Sequence, residues 1–336
     1  MDSLTHIVVG ACIGETLAGR QLGKKALLIG AIANSLPDID VVASFFLPLT
    51  SDLLAHRGFT HSLLFIALSA PLLSFASQKF IKNSTLSFSR WLLFWSLQCF
   101  VHIFIDAFNA YGTGWFEPFS HYRVAFNTMF VADPLFTIWP SIATIVLLLL
   151  RKDHHKRKFW ASYALVLSSL YLITGIGNKL YIDSLAKNEL ALAQISTDQY
   201  FSTPTPLNNI LWYIVSKHDS GFYIGYRSLF DKNTTIKFRY VCQNNELLHT
   251  TNHKEDINRL KRFSKGFYTV EQSNDTLKFN DLRFGEILGW NDTVSHCVFF
   301  YYPQFPDANE LIVQRGRFAG WDAQALRNFF RRIGGN

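Results

Sequence analysis

The chain has 336 residues, of which 49% are hydrophobic and only 17% are charged. This composition is too apolar for a typical soluble enzyme, and the length leaves room for two domains. The net charge of +7 would suit a nucleic-acid-binding protein. However, many basic residues lie in short loops between apolar segments, where they are better explained as signals of membrane topology. The composition therefore favours a membrane protein that does not bind nucleic acid.

The first half contains six apolar segments with few charges, which we interpret as membrane helices. Several are shorter than the roughly 20 residues that a perpendicular span requires. The first two are the least regular, and Pro37, Asp38 and Asp40 interrupt the second. No cleavable signal peptide is expected, because no basic region precedes the first segment. The segments are Leu4–Ala18, Ala26–Leu47, Ser62–Ser77, Trp91–Phe108, Pro134–Leu150 and Phe159–Gly177.

Alternate loops between these segments differ in their basic residues, with eleven lysines and arginines in one set and two in the other. Because cytoplasmic loops are enriched in Lys and Arg, the richer set is expected in the cytoplasm. The amino terminus, the poorer set and all residues after 178 should then face the periplasm or the cell exterior. The richer loops are 19–25, 79–90 and 151–158, and the poorer loops, with Arg57 and Arg123, are 48–61 and 109–133.

The sequence predicts an α-helical polytopic membrane domain of about five or six helices at 1–178, followed by a small β-rich α+β soluble domain at 179–336. Cys242 and Cys297 lie in the second domain and could form a disulfide in an oxidising compartment, which the sequence does not decide. A C-terminal helix is expected near Asp322–Ile333. Before it, we predict a helix at Lys179–Ile195 and strands at Leu211–Val215, Phe222–Tyr226, Ile236–Cys242, Gly266–Glu271 and Val294–Tyr302.

Imidazole and carboxylate side chains gather on the outward side of this topology, although the charge count made no use of them. His102 and Asp106 are four residues apart on a predicted helix, so their side chains share one face. An aspartate within a membrane segment costs roughly 2.5–3.5 kcal/mol unless it has a partner. His56 and His61 flank Gly58, which could turn the loop so that both rings converge. These donors favour zinc, with manganese or iron as alternatives.

Structural roles compete with metal binding at several of these positions. A carboxylate near a helix C-terminus opposes the helix dipole, so a structural role explains Asp106 poorly. Asp133 before Pro134, in contrast, is typical of a helix start with Asp as N-cap. The remaining structural alternatives are a cap of the first helix at Asp2 or Ser3, a simple turn at 37–40, a loop histidine without a ligand at His121, and a solvated loop at 151–158.

Several ordered motifs resemble the YdjM-like family, whose members are described as membrane-bound, metal-dependent hydrolases. The resemblance covers nearly the whole chain, since Asp133-Pro134 and the segment 203–208 with Trp212 also match. The main motifs are Met-Asp-Ser-Leu-Thr-His at 1–6, Leu-Pro-Asp-Ile-Asp at 36–40, His-Arg-Gly-Phe-Thr-His-Ser at 56–62, and His102-x-x-x-Asp106 followed by Tyr111-Gly112-Thr113.

That family is similar in turn to the zinc-dependent phospholipase C and single-strand nuclease superfamily, a more distant resemblance. It implies one or two zinc ions, a bridging role for Asp106, and a general base among the carboxylates Asp38, Asp40 and Asp106. Two features depart from those enzymes: Met1 stands where they have a processed amino terminus, and their second His-x-x-x-Asp/Glu pair is missing. The implied ligands are His6, Asp38 or Asp40, His56 or His61, His102 and Asp106.

The sequence therefore predicts a multi-pass inner-membrane hydrolase that depends on a metal, most simply zinc. Its expected substrate is a phosphoester, such as a phospholipid or a lipid-linked head group, at the outer face of the membrane. The alternative is a non-enzymatic membrane protein in which the metal is structural, sensed or transported. An intramembrane metalloprotease is less favoured because no His-Glu-x-x-His motif occurs. The sequence identifies neither the substrate nor the oligomeric state.

Overall fold

The computed structural model describes residues 1–81, 85–197, 199–233, 235–273, 276–291, 296–305, 309 and 321–335. The chain forms two compact units. The first consists of Met1–Ala43, Ala55–Gly175 and Pro206–Asn208, and the second consists of Ser44–Leu54, Ile176–Thr205 and Asn209–Asn336.

Helices dominate the first unit, and strands occur in the second. Within the described residues, the α-helices are α1 (Ser3–Leu22), α2 (Lys25–Asn34), α3 (Leu49–Ala55), α4 (Leu63–Phe80), α5 (Phe88–Asp106), α6 (Pro134–Leu149), α7 (Arg157–Leu192), α8 (Lys254–Phe263) and α9 (Ala323–Ile333). The strands are β1 (Gln199–Pro204), β2 (Leu211–His218), β3 (Gly221–Ser228), β4 (Arg239–Cys242), β5 (Tyr268–Ser273), β6 (Thr276–Ile287) and β7 (His296–Tyr301).

Short polar side chains begin the helices of the first unit. Asp2, Ser62, Ser87 and Asp133 each accept a hydrogen bond from a backbone N–H in the first turn of α1, α4, α5 and α6. Such caps satisfy N–H groups that have no partner within the helix. Asp133 therefore has the capping role that the sequence suggested.

A bend follows α2 and positions two of the predicted site residues. The 3-10 helix Leu36–Phe45 continues the chain at an angle of 52° to α2. Pro37 lacks an N–H and disfavours a helical conformation for the residue before it, so α2 cannot continue in a straight line. Asp38 and Asp40 consequently lie on the 3-10 helix rather than on α2.

Glycines allow α1 and α2 to pack closely. A Cβ atom at Gly14 would lie 2.2 Å from the carbonyl oxygen of Ala26, and one at Gly30 would lie 2.2 Å from the carbonyl oxygen of Gly10. Small residues permit this approach between helices in membranes. Gln98 of α5 donates a hydrogen bond of 3.0 Å to the Gly10 carbonyl and so joins α5 to the pair.

Three described helices, α4, α5 and α7, are long and apolar enough to cross a membrane. The bent pair of α2 and its 3-10 continuation would make a fourth span, and α6 is apolar but shorter. The predicted count of five or six spans is therefore not confirmed. The first predicted segment forms α1, which is largely buried and carries the polar residues His6 and Glu15. Its composition is therefore less apolar than that of α4, α5 and α7, and it is not among the candidate spans. Large side chains face outward on the other helices, with Phe75 66% and Leu149 79% exposed.

The second unit contains two antiparallel sheets with the orders β1-β2-β3-β4 and β5-β6-β7. Ile182 and Ala186, in the last third of α7, pack against Trp212 and Ile214 of β2. The prediction of a helical region followed by a strand-rich region is thus confirmed.

Several details differ from the sequence predictions. α7 is one helix of 36 residues, where the sequence suggested two, and it is about 54 Å long. β1 and β6 were not predicted, and the start of the predicted strand Val294–Tyr302 lies outside the described residues. Cys242 and Cys297 are both free thiols, so the disulfide that the sequence left open is not formed.

Candidate metal centre

Four side chains from three parts of the first unit direct their donor atoms toward one point. Asp38 comes from the 3-10 helix after α2, and His61 comes from the short turn before α4. His102 and Asp106 lie one turn apart near the end of α5. One nitrogen or oxygen from each of the four lies within 4.8 Å of the others. We refer to Asp38, His61, His102 and Asp106 as the ligand cluster.

Five of the six separations within the ligand cluster are close to the edges of a tetrahedron around a metal ion. The Nε2 atoms of His61 and His102 lie 3.1 Å apart. Asp38 Oδ1 lies 3.6 Å from His61 Nε2 and 3.4 Å from His102 Nε2. Asp106 Oδ2 lies 3.4 Å and 3.6 Å from the same two nitrogens. Zinc bonds to nitrogen and oxygen of about 2.0–2.2 Å give tetrahedral edges of about 3.3–3.6 Å.

The hydrogen bonds of the two histidines leave their lone pairs facing the centre of the cluster. His102 Nδ1 lies 2.5 Å from the carbonyl oxygen of Asn34, which can only accept a hydrogen bond, so this nitrogen carries the proton. His61 Nδ1 lies 3.3 Å from Asp40 Oδ2 and takes the same role. In a neutral imidazole the other nitrogen, Nε2, then bears a lone pair. Partners of this kind fix the tautomer of metal-binding histidines in proteins.

A metal ion would hold these donors together, since the cation already present, Arg57, lies 3.2 Å from Asp106 Oδ2 only. Two lone pairs and two carboxylate oxygens would otherwise repel one another at short range. In the described part of the chain, Asp106 Oδ2 is buried and makes no hydrogen bond. A proton shared by the two rings would relieve only the contact between them, whereas a metal ion at the centre would relieve every contact. The residues present therefore fit a metal ion.

Asp40 supports the ligand cluster from outside. Its Oδ2 atom accepts hydrogen bonds from the backbone N–H of Arg57 at 2.7 Å and from the hydroxyl of Thr60 at 3.2 Å. Its Oδ1 atom lies 3.2 Å from Nδ1 of His56. Nδ1 of His61 also contacts Asp40 Oδ2. Both oxygens of Asp40 therefore bind groups of the loop 56–61, which carries the predicted ligands His56 and His61. Asp40 and His56 therefore lie beside the cluster, not in it.

His6 approaches the other oxygen of Asp106. Its Nε2 atom lies 3.3 Å from Asp106 Oδ1, and its ring stacks on that of His102 with centroids 3.7 Å apart. The amino group of Met1 also contacts Asp106 Oδ1. The two oxygens of Asp106 thus face two separate groups of nitrogen atoms, Oδ2 those of His61 and His102 and Oδ1 those of His6 and Met1.

Arg57 is a site residue that the sequence analysis treated only as a loop charge. It is 3% exposed, its Nε atom lies 3.2 Å from Asp106 Oδ2, and its guanidinium also donates to Asn109 Oδ1 at 2.9 Å. Its backbone has a φ of 59°, which is uncommon for a residue other than glycine and tends to occur at functional sites. The available signal was its position inside the motif between His56 and His61.

Burial also affects groups at the edge of the site. Desolvation lowers the pKa of the Met1 amino group well below its usual value, and it lowers the pKa of His56 as well. Both shifts favour the neutral forms, which are the forms that can bind a metal. His121, in contrast, is 62% exposed at its side chain and pairs with Glu117 at 2.9 Å, as expected of a loop histidine.

The structure thus brings four of the seven predicted ligands to one point. His6 lies on the far side of Asp106, and Asp40 and His56 form the support described above. The residues that sequence reasoning missed are Arg57, Asn34 through its carbonyl, and Thr60.

The fold and the ligand cluster define a membrane protein whose helical unit has a buried group of side chains able to hold a metal ion. The model of the YdjM inner membrane protein family matches residues 1–180, a range that contains the whole cluster. The chain belongs to this family. The resemblance seen in the sequence motifs is therefore confirmed over residues 1–180, and the matches expected at 203–208 and Trp212 lie beyond this range.

Two relatives illustrate the range of similarity. The inner membrane protein YbcI of Escherichia coli (strain K12) is 31% identical over 122 residues, which are 36% of this chain and 69% of YbcI. The uncharacterized protein YfhP of Bacillus subtilis (strain 168) is 33% identical over 149 residues, which are 41% of this chain and 43% of YfhP. The chain therefore matches most of the first relative but less than half of the second. No solved structure matches the chain.

Proposed function

We propose that the protein is a zinc-dependent hydrolase that cleaves a phosphoester of a membrane lipid or of a lipid-linked head group. The observation that carries this proposal is the unequal exposure of the ligand cluster. The side chains of His61, His102 and Asp106 are fully buried, whereas that of Asp38 is 25% exposed. Catalytic zinc sites in proteins use three protein ligands and leave the fourth position open to water or substrate.

This difference supports separate roles for the four side chains. His61, His102 and Asp106 would hold the ion. Asp38, on the side that reaches solvent, would accept the proton of the attacking water as a general base. A zinc ion held there would supply Lewis acidity and would lower the pKa of a water molecule to about 7.

Arg57 supports a substrate that carries a phosphate. A planar guanidinium can donate two parallel hydrogen bonds to phosphate oxygens, and a fixed cation stabilises the charge that develops during phosphoester cleavage. Arg57 Nε lies 3.2 Å from Asp106 Oδ2, and the two terminal nitrogens of Arg57 donate to Asn109 Oδ1 and to the Met1 carbonyl. A phosphate held at the ion would be bound by Arg57 in exchange for one of these partners. The role we assign to Arg57 is to bind and orient this group.

The membrane helices support a lipid rather than a nucleic acid as the substrate. The ligand cluster lies at the end of α5, and the helices beside it expose large apolar side chains. A site at the end of a membrane helix lies at the depth of lipid head groups. The predicted topology would place this end, and the strand-rich unit, on the outer side of the inner membrane.

A second candidate is a metal with a structural, sensing or transport role. Four protein side chains can complete a tetrahedron, and closed sites of this kind are typical of structural zinc. Against this role, structural zinc sites usually contain cysteine thiolates, whereas this cluster has only histidine and aspartate. The role of Asp38 separates the two candidates, because a structural site would use it as the fourth ligand, whereas a hydrolase needs it as a base.

The test compares two isosteric variants of the purified full-length chain. We expect the wild-type protein to contain one or two zinc ions by elemental analysis and to release phosphate or a phosphorylated head group from phospholipid in mixed micelles. Asp106→Asn should lose both metal and turnover. Asp38→Asn should keep the metal and lose turnover by about 10²–10⁴-fold, as expected for a general base.

The buried helix cap Asp133 provides the matched control, since asparagine is an equally good N-cap and Asp133→Asn should leave both the fold and the metal content unchanged. Full turnover in Asp106→Asn would contradict the hydrolase proposal. Bound metal without turnover on any lipid phosphoester in the wild-type protein would favour the second candidate.

A further inference from the structure

A basic cleft lies at the opposite end of the first unit from the ligand cluster. It has two lobes of about 930 Å³ and 510 Å³ on either side of the loop 151–155. Arg90 opens α5 and Asp106 ends it, so the two sites are separated by 16 residues, or about 24 Å along the helix. We use the name basic cleft for the space lined by Arg20, Lys24, Lys25, Arg90, Lys152 and Lys158.

Positive charge dominates the lining. Eight lysines and arginines line the two lobes, against the acidic residues Glu15 and Asp153. Arg157 neutralises Glu15 through two hydrogen bonds of 2.9 Å and 2.7 Å, and both side chains are 4% exposed. Within the described residues, none of the six named lining cations forms an ion pair with a carboxylate. With Glu15 paired to Arg157, only Asp153 opposes the remaining lysines and arginines, so the cleft carries a net positive charge.

Cations at the cleft bind backbone carbonyls nearby, and Arg90 donates to the carbonyl oxygen of Leu17 at 2.9 Å. Arg157 donates to the carbonyl oxygens of Leu147 and Leu150 at the end of α6, at 2.6 Å and 3.2 Å. Lys24 Nζ donates to the carbonyl oxygen of Leu148 at 2.5 Å. These bonds satisfy the last carbonyls of α6, which would otherwise repel an anion. The bond to Leu148 also holds the Lys24 side chain in place at the edge of the basic cleft.

Apolar side chains continue from the cleft along the outside of the helices. Leu148 and Leu149 are 53% and 79% exposed at the end of α6, and Phe159 and Tyr163 are 60% and 49% exposed at the start of α7. The two aromatic rings stack with centroids 5.6 Å apart. A ligand with an anionic head and acyl chains would meet positive charge in the cleft and apolar surface beside it.

We propose that the basic cleft binds the phosphate head group of an anionic phospholipid, whose acyl chains lie against the exposed ends of α6 and α7. Basic pockets between membrane helices recognise such head groups. A free phosphate compound would use the same charges but would gain nothing from the apolar surface. The structure thus favours a lipid over a soluble phosphate. This site is separate from the ligand cluster and does not depend on the hydrolase proposal.

The test measures binding of dioleoyl phosphatidylglycerol to the purified full-length chain in neutral detergent by native mass spectrometry. Lys24→Gln with Lys152→Gln removes two cations from the cleft. Lys79→Gln with Lys254→Gln removes two exposed lysines that do not line the cleft and is the matched control. Each lysine near an anionic head group contributes roughly fivefold to affinity, so we expect the cleft variant to bind about thirtyfold more weakly and the control to bind as the wild type does.

Two results would overturn the proposal. Equal loss of binding in the cleft variant and the control would mean that the lipid responds only to net charge. Displacement of the lipid by glycerol phosphate or inorganic phosphate at similar concentrations would identify a soluble phosphate site instead. Phosphatidylcholine, which has no net charge, should bind all three proteins equally weakly. Because all four substituted lysines are exposed, unchanged thermal unfolding should accompany these measurements.

Discussion

Single hydrogen bonds set the chemistry of the ligand cluster. The carbonyl of Asn34 fixes the proton on His102, and Asp40 does the same for His61. Each ring then presents its Nε2 lone pair to the centre. The support residues are therefore as important to the site as the ligands themselves, because a wrong tautomer would point an N–H at the metal.

Asp40→Asn tests this support directly. An amide has one acceptor oxygen where the carboxylate has two. It cannot accept from the backbone N–H of Arg57, the hydroxyl of Thr60 and Nδ1 of both histidines at once, so His61 should lose its preferred tautomer and orientation. We expect zinc affinity to fall by about 10–100-fold, measured by competition with a fluorescent chelator. Asp153→Asn, at an exposed carboxylate away from the cluster, should leave the affinity unchanged. An unaltered affinity in Asp40→Asn would show that the ring needs no such partner.

Arg57→Lys separates substrate binding from metal binding. Lysine keeps the charge but loses the planar fork that binds two phosphate oxygens. We expect zinc content to persist and kcat/KM on a lipid phosphoester to fall by about 10²–10³-fold, the range found when one stabilising donor is removed. Arg262→Lys, at an exposed arginine of α8, serves as the control and should retain most activity. Loss of zinc in Arg57→Lys would assign the residue a structural role.

The sequence identified the types of ligand better than their arrangement. His102 and Asp106 could be paired because a spacing of four residues brings side chains together on a helix. The roles of Asp38 and Asp40 could not be separated, since only the bend after α2 decides which carboxylate faces the cluster. Arg57 was missed because its function depends on burial, which the charge pattern of a loop does not reveal.

Helix packing supports the site at the next scale. α1 carries His6, and α2 leads directly to Asp38, so the separation of these helices affects the position of both residues. Gly10, Gly14 and Gly30 set that separation. Their arrangement resembles the small-residue contacts of other membrane helix pairs.

Gly14→Ala should push the two helices apart. The added Cβ would lie 2.2 Å from the carbonyl oxygen of Ala26, and overpacking of this kind costs about 1–3 kcal/mol. We expect a lower Tm in detergent and weaker zinc binding. Gly177→Ala is the control, because its Cβ would meet nothing within 4 Å and the change should stabilise α7 by up to about 1 kcal/mol. Equal Tm values for the two variants would contradict the close packing.

The strands show where periodicity alone fails. β2 and β3 were predicted because apolar and aromatic residues dominate them. β6 was not, because Asn280, Asp281 and Arg283 are buried in it and make its sequence look polar. Asp281 and Arg283 form an ion pair of 2.6 Å, and the register with β7 shifts after Asp281. Paired charges within a strand remove the alternation that sequence reasoning relies on.

At the scale of the helical unit, charge and metal ligands occupy opposite ends. The basic cleft lies where α1 ends and α5 begins, and the ligand cluster lies where α1 begins and α5 ends. If basic residues remain in the cytoplasm, the end with the basic cleft faces the cytoplasm and the end with the ligand cluster faces the other side of the bilayer. The same rule then predicts that the ligand cluster and the strand-rich unit face outward.

The cysteines provide a built-in test of this orientation. Cys242 is exposed on β4, whereas Cys12, Cys99 and Cys297 are buried, and all four are free. A membrane-impermeant maleimide should therefore label intact spheroplasts at Cys242, and Cys242→Ser should abolish the labelling. Labelling that appears only after lysis would place the strand-rich unit in the cytoplasm. It would also reverse the assignment of the ligand cluster to the outer side, since the charge pattern orients both together.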